Sequence, residues 1–127
     1  MTARTFVRVS AAIEAATGIA LISDPGLVVR ILLGAGVAEA GIAIGRVGGF
    51  GLLSLGLACW PNGDEVTVRA TWVLFLYNLL ASVYLCYLRV GGEFTGYVLW
   101  LAVGLHALLA VLLARPALAA ISTPETA

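Results

Sequence analysis

The chain has 127 residues, of which 61% are hydrophobic and 11% are charged, and its formal net charge is zero. Soluble domains usually contain about 25% charged and 45–50% apolar residues, so a soluble fold of this size could not cover so many apolar side chains. All seven cations are arginines that are spread along the sequence, which excludes the clustered basic face of a nucleic-acid-binding protein. The composition therefore predicts a single membrane-embedded domain whose first partner is the lipid bilayer.

The apolar segments predict four membrane-spanning helices, an all-α, polytopic four-helix bundle. In chain order the predicted helices cover about residues 6–22, 37–60, 66–89 and 95–115, and each is long enough to cross the hydrocarbon core. Segments rich in proline, glycine and acidic residues separate them, as expected for turns. Together they form one predicted transmembrane domain over residues 1–116.

Two further segments are too short or too polar to span a membrane. Residues 27–33 form a brief apolar segment that contains Arg30, which is typical of a helical turn at the membrane surface. Pro116 is expected to end the fourth helix, because a proline in a helix interior removes a hydrogen bond. Residues 117–127 are therefore predicted to be a loosely ordered tail.

The second predicted helix carries glycines at a spacing of four residues, at Gly41, Gly45 and Gly49. Small residues at this spacing let two helix backbones approach closely in lipid. The first helix offers a matching series of alanines, and the prediction is that the two helices pack through these small residues. Alternatively, the glycines join this chain to another copy or to a larger membrane complex. The alanines are Ala12, Ala16 and Ala20.

Each predicted helix also carries a polar residue at depth: Glu14, Arg46, Asn78 and His106, with Tyr77 beside Asn78. A charged side chain at the bilayer centre costs at least about 2.5–3.5 kcal/mol, so such residues face the bundle interior and pair with one another. Glu14 and Arg46 are predicted to pair, and Asn78 and His106 to complete a hydrogen-bonded network. This candidate intramembrane site is either a structural device that specifies the helix arrangement or a functional site in which histidine exchanges protons.

No motif for catalysis or cofactor binding is present. The sequence contains neither HExxH, CxxC nor a phosphate-binding loop, and the serines have no base evident from the sequence. There is one histidine, and the two cysteines are far apart, so no metal site is expected. The prediction is a protein that is not an enzyme and has no cofactor.

Two sets of residues resemble those of a group of small, uncharacterised four-helix inner-membrane proteins of bacteria. They are residues 45–49 leading to 56–60, and residues 76–78 followed by Leu99-Trp100 and 105–107. This resemblance implies the architecture and a bacterial origin, and no activity. Glu14 within a four-helix chain is also similar to the first-helix glutamate of small multidrug resistance transporters, but those proteins lack core residues equivalent to Arg46 and His106.

Two functions follow as expectations. The first is a non-enzymatic scaffold or accessory component whose polar core fixes the bundle. The alternative is a small proton-linked transporter, or a membrane binding protein for a small or lipophilic ligand, that uses the polar cluster. The arginines outside the predicted helix centres favour both termini in the cytoplasm, and the resemblance implies a bacterial inner (cytoplasmic) membrane location.

Overall fold

Five α-helices follow one another in the computed structural model, which describes residues 2–62 and 68–122. They are α1 (Ala3–Ser23), α2 (Pro25–Leu33), α3 (Glu39–Ala58), α4 (Val68–Val90) and α5 (Leu99–Ser122). No strand occurs in these two ranges, which confirms the all-α class. Four of the helices, all except α2, are long enough and apolar enough to cross a bilayer.

The end of α5 differs from the sequence prediction. The helix continues through Pro116 to Ser122, so the expectation of a loose tail was wrong for residues 117–122. Proline at this position removes a single backbone donor, and alanine and leucine on both sides have high helix propensity. Residues 123–127 of the predicted tail, and residues 63–67 of the predicted turn and helix start, lie outside the described part of the chain.

The short helix α2 is defined by local turn chemistry. The Asp24 carboxylate accepts a hydrogen bond of 2.9 Å from the Leu27 N–H, and Pro25 occupies the first helical turn, where its missing N–H costs nothing. The helix ends at Gly34, whose φ of 72° is left-handed and favours glycine. At nine residues α2 is too short to cross a membrane.

The four long helices form two closely packed pairs, α1 with α3 and α4 with α5, and contacts between the pairs are sparse. Within the first pair, a Cβ placed on Gly49 would lie 2.8 Å from the Gly18 carbonyl oxygen, and one on Gly56 would lie 2.5 Å from the Ala11 carbonyl oxygen. Later residues of α3 thus meet earlier residues of α1, so the two helices are antiparallel. The packing of glycines of the second predicted helix on the first is confirmed at Gly49.

The contact face of α1 is not the predicted alanine series. Ala12, Ala16 and Ala20 are exposed, and α3 instead contacts Ala11, Ala15 and Gly18. The buried positions of α1 recur every three or four residues, as one helix face requires. They are Val7, Ser10, Ala11, Glu14 and Gly18.

Gly45 lies against Pro25 and Gly41 against the Val37 side chain. Of the three glycines, Gly49 is buried and Gly41 and Gly45 are half-buried. The alternative contact of this series with another copy or a larger complex stays a prediction.

Candidate functional site

Three of the four long helices contribute to one group of polar side chains between the helix pairs. We call it the polar cluster: Ser10 and Glu14 of α1, Tyr77 and Asn78 of α4, and His106 of α5. Ser10, Glu14 and Asn78 are buried, and Glu14 is only 1% exposed. The cluster connects the α1–α3 pair to the α4–α5 pair.

The Asn78 side chain is the centre of the cluster, and all its polar atoms are used. Its amide nitrogen donates to Ser10 Oγ at 2.8 Å and to the Leu74 carbonyl oxygen at 2.8 Å. A carbonyl oxygen only accepts, so the amide orientation is fixed. The Asn78 Oδ1 atom therefore faces His106 Nδ1, at 2.8 Å, and Nδ1 must carry the hydrogen.

This assignment leaves the second ring nitrogen of His106 without a partner. In a neutral imidazole with hydrogen on Nδ1, the Nε2 atom is an acceptor. The interactions of His106 are those with Asn78, Glu14 and the Tyr77 ring, and none of them is a hydrogen bond to Nε2 within the described chain. The Tyr77 and His106 rings meet edge to face with centroids 5.9 Å apart, which holds the imidazole plane in place.

Glu14 lies beside these residues, and the Tyr77 hydroxyl group is the donor that interacts with its carboxyl group. The Glu14 Oε1 atom is 4.0 Å from His106 Nδ1, beyond hydrogen-bond distance. Neither carboxyl oxygen meets a further hydrogen-bond donor among the residues described. Burying a carboxyl group with so few donors is costly, which makes Glu14 the most unusual side chain in the core.

The predicted pairing of Glu14 with Arg46 was wrong. Arg46 is exposed, and the contacts of its neighbours Gly45 and Gly49 place it level with the end of α1. Glu14 lies nine to ten residues earlier on α1, or about 14 Å along the axis at 1.5 Å per residue. The antiparallel register of α1 and α3 therefore keeps the two charges apart and excludes Arg46 from the site.

A cavity of about 560 Å³ lies between the two helix pairs, next to the polar cluster. His106 and Tyr77 line it, together with Thr17, Tyr84 and mainly aliphatic side chains of α1, α2, α3 and α4. We call this space the inter-pair cavity. Its size falls within the usual range for small-molecule sites. The aliphatic lining residues are Leu21, Val28, Val29, Leu32, Leu33, Leu52, Leu80, Ala81 and Leu85.

The cavity has one closed end and one open side. The α2 helix closes the end and is held there by the loop before α5, where the Gly96 N–H donates to the Leu33 carbonyl oxygen at 3.1 Å. On the other side α3 and α4 make almost no contact, and the lining residues Leu80 and Tyr84 are 59% and 60% exposed. The cavity is therefore open laterally, between α3 and α4.

The sequence prediction named four of the five residues of the polar cluster and missed Ser10. The structure brings Glu14, Tyr77, Asn78 and His106 together. A signal for Ser10 was present, because it precedes Glu14 by four residues and so lies on the same helix face. Serine is common in apolar helices, however, and the sequence gives no reason to prefer Ser10 over the other serines.

No three side chains of histidine, cysteine, aspartate or glutamate come together as a metal site in residues 2–62 and 68–122. Both cysteines are free, with Cys59 buried and Cys86 half-buried. The polar cluster offers hydrogen-bonding groups next to an apolar cavity. Comparisons with protein families, curated proteins and solved structures find no match for this chain, so its function is argued from this geometry.

Proposed function

We propose that this protein is a membrane-embedded binding protein for a small, mainly apolar molecule that occupies the inter-pair cavity. The observation that carries the proposal is a cavity of about 560 Å³ with an aliphatic lining and with His106 and Tyr77 at its polar side. Ligand sites are commonly apolar with a few polar groups that orient the ligand. The proposal assigns no chemical step to the polar cluster.

Location in a membrane is supported by the outer surface of the helices. Large apolar side chains are exposed along all four long helices, for example Ile19, Phe50, Leu80 and Leu101. Soluble monomers rarely expose continuous apolar surfaces of this extent, whereas lipid-facing helices require them. The four long helices are the proposed spans.

The proposed orientation places both termini in the cytoplasm of a bacterial cell, with the spans in its inner membrane. Ala3 and Phe6 lie beside Arg115 and Pro116, so the start of α1 and the late part of α5 share one end of the bundle. Arg4, Arg8, Arg69 and Arg115 belong to this end, whereas Arg30, Arg46 and Arg89 belong to the other. The excess of arginines favours the cytoplasm for the first end.

A non-enzymatic scaffold is the second candidate function, and the Asn78 side chain favours it. Its amide group makes hydrogen bonds to Ser10, Leu74 and His106, as expected of a residue that fixes how helices pack. Ser10 and Asn78 can serve this role in a binding protein too. His106 retains an unpaired acceptor atom, which a purely structural network does not need.

Native mass spectrometry in a mild detergent, compared across three proteins, tests the proposal. Ala81→Phe places an aromatic ring on a residue that lines the cavity. Ala43→Phe adds the same ring to an exposed position on α3 and is the matched control. We expect a small molecule to be retained at one per chain by the wild type and by Ala43→Phe, and to be lost from Ala81→Phe.

Equal added masses on all three proteins would contradict a site in the inter-pair cavity. So would a wild-type protein that stays free of any small molecule and whose unfolding temperature is unchanged by added hydrophobic probes. Circular dichroism of each variant provides the control for folding.

A further inference from the structure

The side chains beside the inter-pair cavity include one hydrogen-bond acceptor that has no donor. Both amide hydrogens of Asn78 and its oxygen are engaged, and the hydrogen on His106 Nδ1 is directed to that oxygen. His106 lines the cavity, and the lone pair of its Nε2 atom remains without a partner. In its neutral form this nitrogen accepts a hydrogen bond and cannot donate one.

The other polar groups of the cavity do not have a fixed polarity. Thr17, Tyr77 and Tyr84 also line the cavity, and a hydroxyl group rotates to donate or accept as its partner requires. These hydroxyl groups therefore accommodate a ligand that donates a hydrogen bond as well as one that accepts it. The ring of His106 cannot rotate to exchange its nitrogens without breaking its hydrogen bond to Asn78, so His106 alone discriminates.

The Asn78 oxygen, which accepts from His106 Nδ1 at 2.8 Å, strengthens the acceptor character of the Nε2 atom. Electron density on the ring is raised when an acceptor or a negative group faces Nδ1–H, as is seen for histidines that bind metals. The arrangement favours a ligand that brings one hydrogen-bond donor to Nε2.

We propose that the ligand is a lipid-soluble alcohol or phenol, whose apolar body fills the inter-pair cavity and whose hydroxyl group donates to His106 Nε2. This inference rests on the proposed binding function and specifies the class of molecule bound. The molecule enters sideways from the bilayer, between α3 and α4, where Leu80 and Tyr84 are exposed. Its hydroxyl hydrogen is the recognised atom, and its oxygen remains free to accept from Thr17 or Tyr84.

Two probes test the inference: 4-octylphenol and its methyl ether, 4-octylanisole. In the ether a methyl group replaces the hydroxyl hydrogen, so the ether cannot donate to Nε2. Their dissociation constants are measured with the full-length protein in one detergent at pH 8, where histidine is neutral. The ratio of the two dissociation constants is measured for the wild type and for Ala81→Phe. Partition of the probes into micelles affects both ratios equally and therefore cancels in the comparison. We expect the wild type to bind the phenol about tenfold more tightly than the ether, the ratio that one net hydrogen bond gives.

The variant His106→Asn separates recognition from packing. An asparagine amide can replace the Nδ1–H donor toward Asn78, but it has no atom at the position of Nε2. We expect His106→Asn to bind 4-octylanisole as the wild type does and to lose the preference for the phenol. Retained binding of the ether shows that this variant is folded.

The outcomes separate the two proposals. Equal binding of both probes to the wild type, above the Ala81→Phe background, would overturn the inference and leave the binding function intact. A phenol preference that persists in His106→Asn would also overturn the inference. Failure of both probes to exceed the background would remove support from the binding function itself. Should His106→Asn fail to fold, equal binding of the two probes to the wild type would still overturn the inference.

Discussion

His106 Nδ1 lies 2.8 Å from Asn78 Oδ1, and this contact determines which nitrogen of the imidazole carries the hydrogen. The Asn78 amide nitrogen must donate to the Leu74 carbonyl oxygen. This hydrogen bond fixes the amide orientation and so turns the Asn78 oxygen toward His106. One backbone carbonyl group of α4 thus sets the hydrogen-bonding character of a side chain on α5. In the polar cluster, His106 Nδ1 therefore donates to Asn78, and His106 Nε2 remains an acceptor without a partner.

Loss of the Ser10 hydroxyl group should weaken the connection between the helix pairs. Ser10 is buried and accepts a hydrogen bond from Asn78, so Ser10→Ala leaves one amide hydrogen without a partner. We expect a loss of about 1 kcal/mol in the free energy of unfolding, the usual size for such a bond. Ser54→Ala, at an exposed position of α3, is the control and should have no effect. Denaturation in mixed micelles measures both; equal effects would contradict the role of Ser10.

Glycines of α3 should differ sharply in their tolerance of a methyl group. A Cβ on Gly56 would lie 2.5 Å from the Ala11 carbonyl oxygen, whereas one on Gly51 meets nothing within 4 Å. Gly56→Ala is expected to lower the free energy of unfolding by about 1–3 kcal/mol through overpacking. Gly51→Ala should leave stability unchanged or raise it by up to about 1 kcal/mol, because alanine is the better helix former. Thermal unfolding in detergent ranks them, and a more stable Gly56→Ala protein would disprove the close packing of α1 on α3.

Substitutions at Glu14 and Arg46 should act independently. The two residues are about 14 Å apart along the helix axis, and Arg46 is exposed. We expect Arg46→Gln to change the free energy of unfolding by less than about 0.5 kcal/mol. The double variant Glu14→Gln with Arg46→Gln should equal the sum of the single variants within about 0.5 kcal/mol. A coupling free energy clearly above that value would restore the ion pair that the register of α1 and α3 excludes.

Cysteine labelling in intact cells tests the proposed topology. Gly36 and Asn62 are exposed, and they lie in the connections before α3 and after it. In a background with Cys59 and Cys86 replaced by alanine, we expect a membrane-impermeant maleimide to label Gly36→Cys in intact cells. It should label Asn62→Cys only after the membrane is permeabilised. The reverse pattern would mean that the termini face outward, and labelling of both residues in intact cells would argue against a span between them.

Much of the fold was predictable because it depends on local composition. Long apolar segments separated by turn residues predicted four helices, and the brief apolar segment 27–33 predicted a helical turn where α2 lies. The polar positions Glu14, Asn78 and His106 were predicted to meet because polar groups surrounded by apolar residues seek partners. Pro116 was misread, because its effect on a helix depends on how the neighbouring turns pack.

The amino-acid sequence by itself determined that the chain is all-α, with four helices of spanning length and isolated polar residues within them, since periodicity and composition are properties of each segment alone. Only the tertiary structure decided which of those residues meet. The register of α1 against α3 places Arg46 far from Glu14, because depth in a bundle follows from how close two backbones can approach at Gly49 and Gly56. The sparse contact between the helix pairs creates the inter-pair cavity beside His106, a space that no single helix encodes.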